Sequence, residues 1–147
     1  MNYYELSLPV DGFLGSDSEY IEDSDPPRLR IFHFELADWF GEDIVKCRRE
    51  FGVTRRLAEA LESSGLTGFA LRPMKVTLSE EGKDIFKWKG RDEADLPDLA
   101  WLYVTGAVPG DDFAISPQSG MLVVSKPALS LLERFELFDT TIQDYKL

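Results

Sequence analysis

The sequence predicts a single α+β domain in which a mixed or antiparallel sheet packs against two capped helices. Three observations support this prediction. The chain has 147 residues, 44% of them hydrophobic, which is enough for one apolar core. Short alternating or continuous apolar runs recur along it and are typical of strands. Two segments that begin with a hydroxyl residue, Thr54 and Ser125, carry apolar residues at helical spacing.

Strands are predicted at residues 2–9, 28–36, 66–78, 99–108, 113–116 and 121–124. The segment 28–36 has apolar residues on both faces, so we expect it to be a central strand. Pro73 interrupts the segment 66–78, because proline lacks the N–H group that a ladder needs and belongs at an edge or a bulge. Residues 43–47 form a short apolar piece, and residues 136–147 form a final extended segment.

Helices are predicted after the two hydroxyl residues. Thr54 is a favourable N-cap for residues 55–64, and Gly65 stands where a helix ends in the left-handed conformation. Ser125 caps the second helix, whose apolar stripe comprises Ala128, Leu131, Leu132 and Phe135. Residues 79–98 are polar and predict no more than a helical turn.

The two halves of the chain align with each other. Residues 41–47 match 110–116 at an offset of 69, and residues 51–66 match 122–137 at an offset of 71. The alignment predicts repeat units of about 30–78 and 99–147 within one domain, 1–147, although strand–cap–helix patterns also recur by chance. Asp43 aligns with Asp112. We expect both to bond nearby backbone N–H groups, the alternative being a carboxylate pair in a small enzyme.

The net charge of −11 disfavours nucleic acids and anionic membranes as partners, because both are polyanions. The acids are concentrated in a predicted acidic loop, residues 11–27, and in residues 92–98. The candidate partner-binding residues are Asp17, Glu19, Glu22, Asp23, Asp25, Asp92, Glu93, Asp95 and Asp98. They form either a docking face for a basic protein or solvated loops that keep the chain soluble. The first stretch lacks the glycine and terminal glutamate of a calcium-binding loop.

The sequence predicts no catalytic residue, cofactor or metal. His33 is the only histidine and lies between two phenylalanines, which is typical of a packed side chain. Cys47 has basic neighbours that would favour a thiolate, but a buried structural cysteine is the simpler interpretation. Phosphate-binding glycine motifs are missing. The first residues lack the features of a leader segment, so we expect a cytoplasmic protein.

Two tryptophans, Trp39 and Trp88, lie near polar turns and are candidate aromatic anchors for a protein partner. Packing within the domain is the alternative for each. Trp101 lies in a predicted strand, so we expect it in the core.

Four segments carry a resemblance to a known family: FHFELADWFGEDIV, LAEALESSGLTGFALRPMKVTLSEE, LPDLAWLYVTG and DDFAISPQSGMLVVSKPALSLLERF. They resemble a group of small bacterial proteins that are similar to immunity proteins of polymorphic or contact-dependent toxin systems. The resemblance covers about residues 30–145 and does not include the acidic loop.

The resemblance implies an immunity (antitoxin-like) protein that neutralises a cognate toxin by direct binding, without a reaction or a cofactor. A basic, nuclease-like toxin would suit the acidity of the chain. The alternatives are a structural or self-associating subunit and, less favoured, a small enzyme that uses Asp43 and Asp112. The sequence does not predict the oligomeric state.

Overall fold

The computed structural model describes residues 2–10 and 12–147, so Asp11, the first residue of the predicted acidic loop, lies outside the described residues. The strands are β1 (Tyr3–Ser7), β2 (Gly12–Leu14), β3 (Glu19–Tyr20), β4 (Leu29–Ile31), β5 (His33–Leu36), β6 (Ile44–Cys47), β7 (Glu50–Thr54), β8 (Phe69–Pro73), β9 (Lys75–Leu78), β10 (Leu99–Val104), β11 (Phe113–Ile115), β12 (Leu122–Ser125) and β13 (Thr141–Tyr145). The helices are α1 (Arg55–Glu62), α2 (Glu80–Trp88) and α3 (Lys126–Leu132), with a 3-10 turn at Glu93–Asp95. The predicted α+β class is confirmed.

Two four-stranded antiparallel sheets form the larger part of the fold. Their strand orders are β6-β7-β10-β8 and β11-β12-β1-β13. A smaller sheet, β2-β5-β9, contains the parallel pair β5 and β9, and β3 pairs with β4. The sequence predicts one sheet, mixed or antiparallel. The structure instead has antiparallel pairing in the two large sheets and mixed pairing in the small one.

The hairpins of the two large sheets pair at equivalent positions. In the hairpin β6–β7, Ile44 lies opposite Val53, and in the hairpin β11–β12, Phe113 lies opposite Val124. These positions are related by the same offsets, 69 and 71, that align the two halves of the sequence. A helix follows each hairpin directly, α1 after β7 and α3 after β12.

The strand beside each hairpin comes from the other half of the chain. In β10, Leu99 lies opposite Thr54, and in β1, Tyr3 lies opposite Ser125. The strand that corresponds to β10 is therefore β1, which lies outside the predicted repeat unit 30–78.

The predicted strand 28–36 is divided in the structure. It breaks at Phe32 into β4 and β5, and β5 lies at the centre of the small sheet.

The larger apolar core joins the two four-stranded sheets to α1 and α3. The buried faces of these helices contain Leu57, Leu61, Ala128, Leu131 and Leu132, as their helical spacing predicts. A second apolar cluster lies around Phe32, Phe34, Phe86 and Trp101. Trp101 is 1% exposed, which confirms its predicted place in the core.

Helix α2 is an addition to the two helices that the sequence predicts. The Ser79 side chain caps it by accepting a hydrogen bond from the Gly82 N–H (2.9 Å), and its buried face consists of Gly82 and Phe86. This face is too small to give a helical apolar pattern. Gly82 lets α2 approach β5, because a Cβ atom there would lie 2.2 Å from the Leu36 carbonyl oxygen.

Candidate partner-binding surface

The Asp43 side chain joins three parts of the fold. Its Oδ1 accepts hydrogen bonds from the Thr54 hydroxyl (2.5 Å) and Arg56 Nε (2.8 Å), and its Oδ2 accepts from Arg56 Nη2 (2.6 Å) and the Glu136 N–H (2.8 Å). Burial alone would raise the pKa of Asp43, but these hydrogen bonds and the charge of Arg56 outweigh it and hold the pKa below its usual value.

Asp112 repeats this arrangement in the other half of the chain. Its Oδ1 accepts from the Ser125 hydroxyl (2.6 Å), and its Oδ2 accepts from the Thr67 N–H (3.0 Å). Each aspartate thus bonds the residue before its own helix and the segment that follows the helix of the other half. The predicted backbone bonding is confirmed, but the N–H groups are distant in sequence rather than nearby.

The two side chains considered for nucleophilic or acid–base chemistry are both buried. His33 is 4% exposed, with Nε2 2.7 Å from the Thr77 hydroxyl, and its Nδ1 accepts a hydrogen bond from the Asp17 N–H (3.2 Å). Cys47 is buried, and burial raises the pKa of its thiol in spite of the nearby Arg48 and Lys46. The thiolate that basic neighbours would favour is therefore disfavoured.

The acidic loop is tied to β9 of the small sheet through Asp17 and to β4 through Glu19. Asp17 forms an ion pair with Lys75, and Glu19 forms one with Arg30. The hydrogen bond and charge of Lys75 lower the pKa of Asp17. Three further acids, Glu22, Asp23 and Asp25, are exposed.

The second acidic stretch, residues 92–98, is an ordered turn. The Asp92 side chain accepts from the Ala94 N–H (2.8 Å), and the Asp95 side chain accepts from the Asp92 N–H (2.9 Å). This reciprocal arrangement is a capping box, which fixes the turn. Asp98 pairs with Arg55 (2.7 Å), and Glu93 is exposed.

The two acidic stretches lie at opposite ends of the same strands. Asp98 immediately precedes β10, whose far end at Val104 accepts a hydrogen bond from Arg28, the residue that follows the acidic loop (2.8 Å). A six-residue strand separates these points by about 17 Å. Asp17 likewise contacts the first residue of β5, whereas Lys89, three residues before the second stretch, pairs with Asp38 beyond the other end of β5. The stretches therefore do not form one acidic face.

The two candidate tryptophans differ in exposure. Trp39 is half-buried against the second apolar cluster, and its Nε1 donates to the Glu42 carbonyl oxygen (3.0 Å). Its ring is packed within the fold, so the structure favours the packing alternative for Trp39, and its role as an anchor stays a prediction. Trp88, the last residue of α2, is 86% exposed. It remains available to a partner.

A second exposed aromatic residue, Phe40, lies near the C-terminal end of α2. The adjacent Lys89 places its Nζ 4.5 Å from the centre of the Phe40 ring and forms an ion pair with Asp38 (2.9 Å). Phe40 is 58% exposed. In the sequence, the one sign that Phe40 could contact a partner is its position beside Trp39 in a polar turn. Its contact with Lys89 depends on the packing of α2 near the end of β5, which no local pattern shows.

We define the aromatic–acidic surface as Phe40, Trp88, Asp92, Glu93 and Asp95. The acidic turn begins four residues after Trp88. Lys87 and Arg91 lie in the same stretch of chain, so the surface carries both signs of charge. Trp39, next to Phe40 in the chain, and Asp98, at the end of the acidic stretch, line one shallow depression beside the first turn of α1.

Two findings concern other kinds of site. Within residues 2–10 and 12–147, no group of three or more His, Cys, Asp or Glu side chains is arranged to hold a metal ion. None of the helices described above has the length and apolar character needed to cross a membrane.

Comparison of the chain with known protein families and with curated proteins gives no match.

Proposed function

We propose that this protein is an immunity protein that binds a toxin protein through the aromatic–acidic surface and neutralises it. The observation that carries the proposal is the 86% exposure of Trp88 next to an ordered acidic turn. Tryptophan is the residue type most enriched among side chains that dominate binding energy, because it buries a large apolar area with few rotatable bonds. A soluble domain gains no stability from leaving such a ring in water.

The acidic turn supports the same proposal. Its capping box fixes Asp92 and Asp95 before a partner arrives, so little conformational entropy is lost on binding. The net charge of −11 attracts a basic protein at long range and raises its association rate. A toxin that acts on nucleic acid has a basic surface and suits this charge.

The arrangement of the two aspartates also favours a binding role over the enzyme alternative. Both carboxylates of Asp43 and Asp112 accept hydrogen bonds that hold the two halves of the fold together. A carboxylate acting as a base or nucleophile needs a free lone pair that faces its substrate. Asp43 has none left, because each of its oxygens accepts two hydrogen bonds, and a carboxylate pair needs both members.

The direct test uses the protein encoded by the gene next to the one for this chain. Producing that protein alone should stop bacterial growth, and producing both should restore it. The two purified proteins should form a complex, and Trp88→Ala should weaken it about thirtyfold, as expected for a loss of about 2 kcal/mol at an anchor residue. Ile142→Ala, an exposed apolar change on β13, is the matched control and should leave the affinity unchanged.

Three results would contradict the proposal. The neighbouring protein could be harmless, the two proteins could fail to bind, or Trp88→Ala and Ile142→Ala could have equal effects. Self-association is distinguished by sedimentation of the chain alone: a Trp88-dependent dimer would show that this surface binds a second copy. The association rate should also fall as salt is raised, because screening removes long-range attraction.

A further inference from the structure

A cavity of about 350 Å³ lies at the other end of the molecule from the residues of the proposed function. Its walls come from the turn between β6 and β7, the turn between β11 and β12, and the segment from β3 to β4. Glu50, at the first position of β7, lines it, whereas Asp98 lies beside Thr54, the last position of that strand. The volume is in the range of small-molecule sites.

Three cations line this cavity: Lys46, Arg48 and Arg49. Across residues 2–10 and 12–147, none of the three forms a salt bridge with a carboxylate. The other basic residues around the site are compensated. Arg28 is bonded to Glu50, whose two oxygens also accept from Trp101 Nε1 (3.1 Å) and the Leu29 N–H (3.3 Å). Glu50 therefore does not neutralise the three cations.

The fold brings the three cations to one wall of the cavity. Lys46 and Arg48 lie at the end of β6 and in the following turn, where Arg48 has a left-handed backbone (φ 56°). Arg49 reaches the carbonyl oxygens of Ser116 and Pro117 at 3.5 and 3.4 Å. Burial lowers the pKa of Lys46, and the charge of Arg49 lowers it further. A bound anion would oppose both effects, because a nearby negative charge favours the protonated amine.

An apolar part of the lining comes from the segment between β3 and β4. Tyr20, Pro27 and Leu29 line the cavity there, and Ser119 and Gly120 line it from the turn between β11 and β12. Glu5 approaches the rim, where its Oε1 accepts from the Ser119 hydroxyl (3.2 Å). A ligand that fits has an anionic group for the cations and an apolar or planar part for Tyr20.

We propose that this cavity, the basic pocket, binds a small phosphate ester, with the phosphate held by Lys46, Arg48 and Arg49 and the organic part packed against Tyr20 and Pro27. Arginine side chains present a planar fork that matches two phosphate oxygens, and three uncompensated positive charges suit a group with two negative charges. This inference is independent of toxin binding.

The test is calorimetric titration of the full chain with phenyl phosphate and, separately, with inorganic phosphate. Phenyl phosphate should bind saturably and more tightly than inorganic phosphate. Lys46→Gln should weaken its binding about tenfold, as expected when a charged hydrogen-bond donor is removed. Tyr20→Ala should bring the affinity for phenyl phosphate down to that for inorganic phosphate.

Arg91→Gln is the matched control, since it removes the same charge from an exposed residue beyond α2 and should leave binding unchanged. Arg48→Gln provides a second pocket variant at an exposed turn position, should Lys46→Gln fail to fold. Absence of saturable binding, or equal weakening by Arg91→Gln and the pocket variants, would overturn the proposal. Equal affinities for the two ligands would overturn the assignment of the organic part. Trp88→Ala should bind phenyl phosphate normally, which separates this site from the toxin-binding surface.

Discussion

At the scale of single residues, the same aspartate position has the same structural role in both halves of the chain. Asp43 and Asp112 each accept a hydrogen bond from the hydroxyl of the residue that precedes a helix. Their backbone carbonyls accept from the N–H of the same residues, Thr54 and Ser125, both at 2.9 Å. The two aligned aspartates thus make matching contacts, although the two halves of the sequence have low identity.

Asp43 gives a prediction for acid stability. Its pKa is lowered in the folded state, so near its ordinary pKa of about 4 the unfolded chain binds more protons than the folded one. The stabilisation is present above that pH and is lost as the pH falls through the folded pKa. Asp43→Asn removes this titration. Urea unfolding across the acidic range should show a shallower loss of stability than in the unchanged protein, and an identical slope would contradict the assignment.

At the scale of elements, the hydroxyl residues at the N-cap positions of α1 and α3 form different hydrogen bonds. The Ser125 hydroxyl accepts from the Ala128 N–H (3.3 Å) and donates to Asp112, so it caps α3 as predicted. Thr54 occupies the N-cap position of α1, but its hydroxyl makes no capping hydrogen bond and donates to Asp43 instead. The sequence located both helix starts, whereas the hydrogen-bond partner of Thr54 is Asp43, which precedes another strand, β6.

Helix α2 gives a prediction at this scale. In an exposed helix, Gly→Ala stabilises by about 1 kcal/mol. Gly82→Ala should instead destabilise the protein, because the added Cβ would lie 2.2 Å from the Leu36 carbonyl oxygen and α2 would have to move away from β5. Chemical denaturation measures the effect. Lys83→Ala, an exposed neighbour in the same helix, is the control and should change stability little; an increase in stability for Gly82→Ala would show that the close approach is absent.

At the scale of the whole molecule, the two large sheets depend on each other. In the second sheet β1 lies between β12 and β13, and in the first sheet β10 lies between β7 and β8. Each of these central strands comes from the opposite half of the chain. Neither half therefore contains a complete four-stranded sheet, although the hairpins of the two halves have matching registers.

This exchange predicts how fragments behave. Residues 2–78 lack β10, and residues 99–147 lack β1, so neither fragment should fold alone. Circular dichroism during heating should show one cooperative transition for the full chain and none for either fragment. A cooperative transition in an isolated fragment would show that a half of the chain is self-sufficient. Equilibrium mixing of the two fragments measures how much of the structure their association restores.

Most of the strands, two of the helices and the burial of Trp101 follow from local patterns in the sequence. The prediction failed where an element has little pattern of its own. Helix α2 buries only two of its residues, and the strand 28–36 breaks at Phe32 because its two parts join different sheets. Of the candidate site, Trp88 and the turn at 92–98 are neighbours in sequence and remain together. The acidic loop is separated from them by the fold, whereas Trp39 lines one depression with Asp98 of the turn.

The sequence by itself determined the fold class, the positions of both capped helices and the concentration of acids in two stretches, because these depend on residues close together in the chain. Only the tertiary structure decided that β1 and β10 exchange between the halves, that the two acidic stretches lie at opposite ends of β10, and that three cations meet in one cavity. The physical reason is that strand pairing and the meeting of side chains in one cavity depend on contacts between distant residues. Periodicity in a segment shows which of its faces is buried, but not which segment packs against that face.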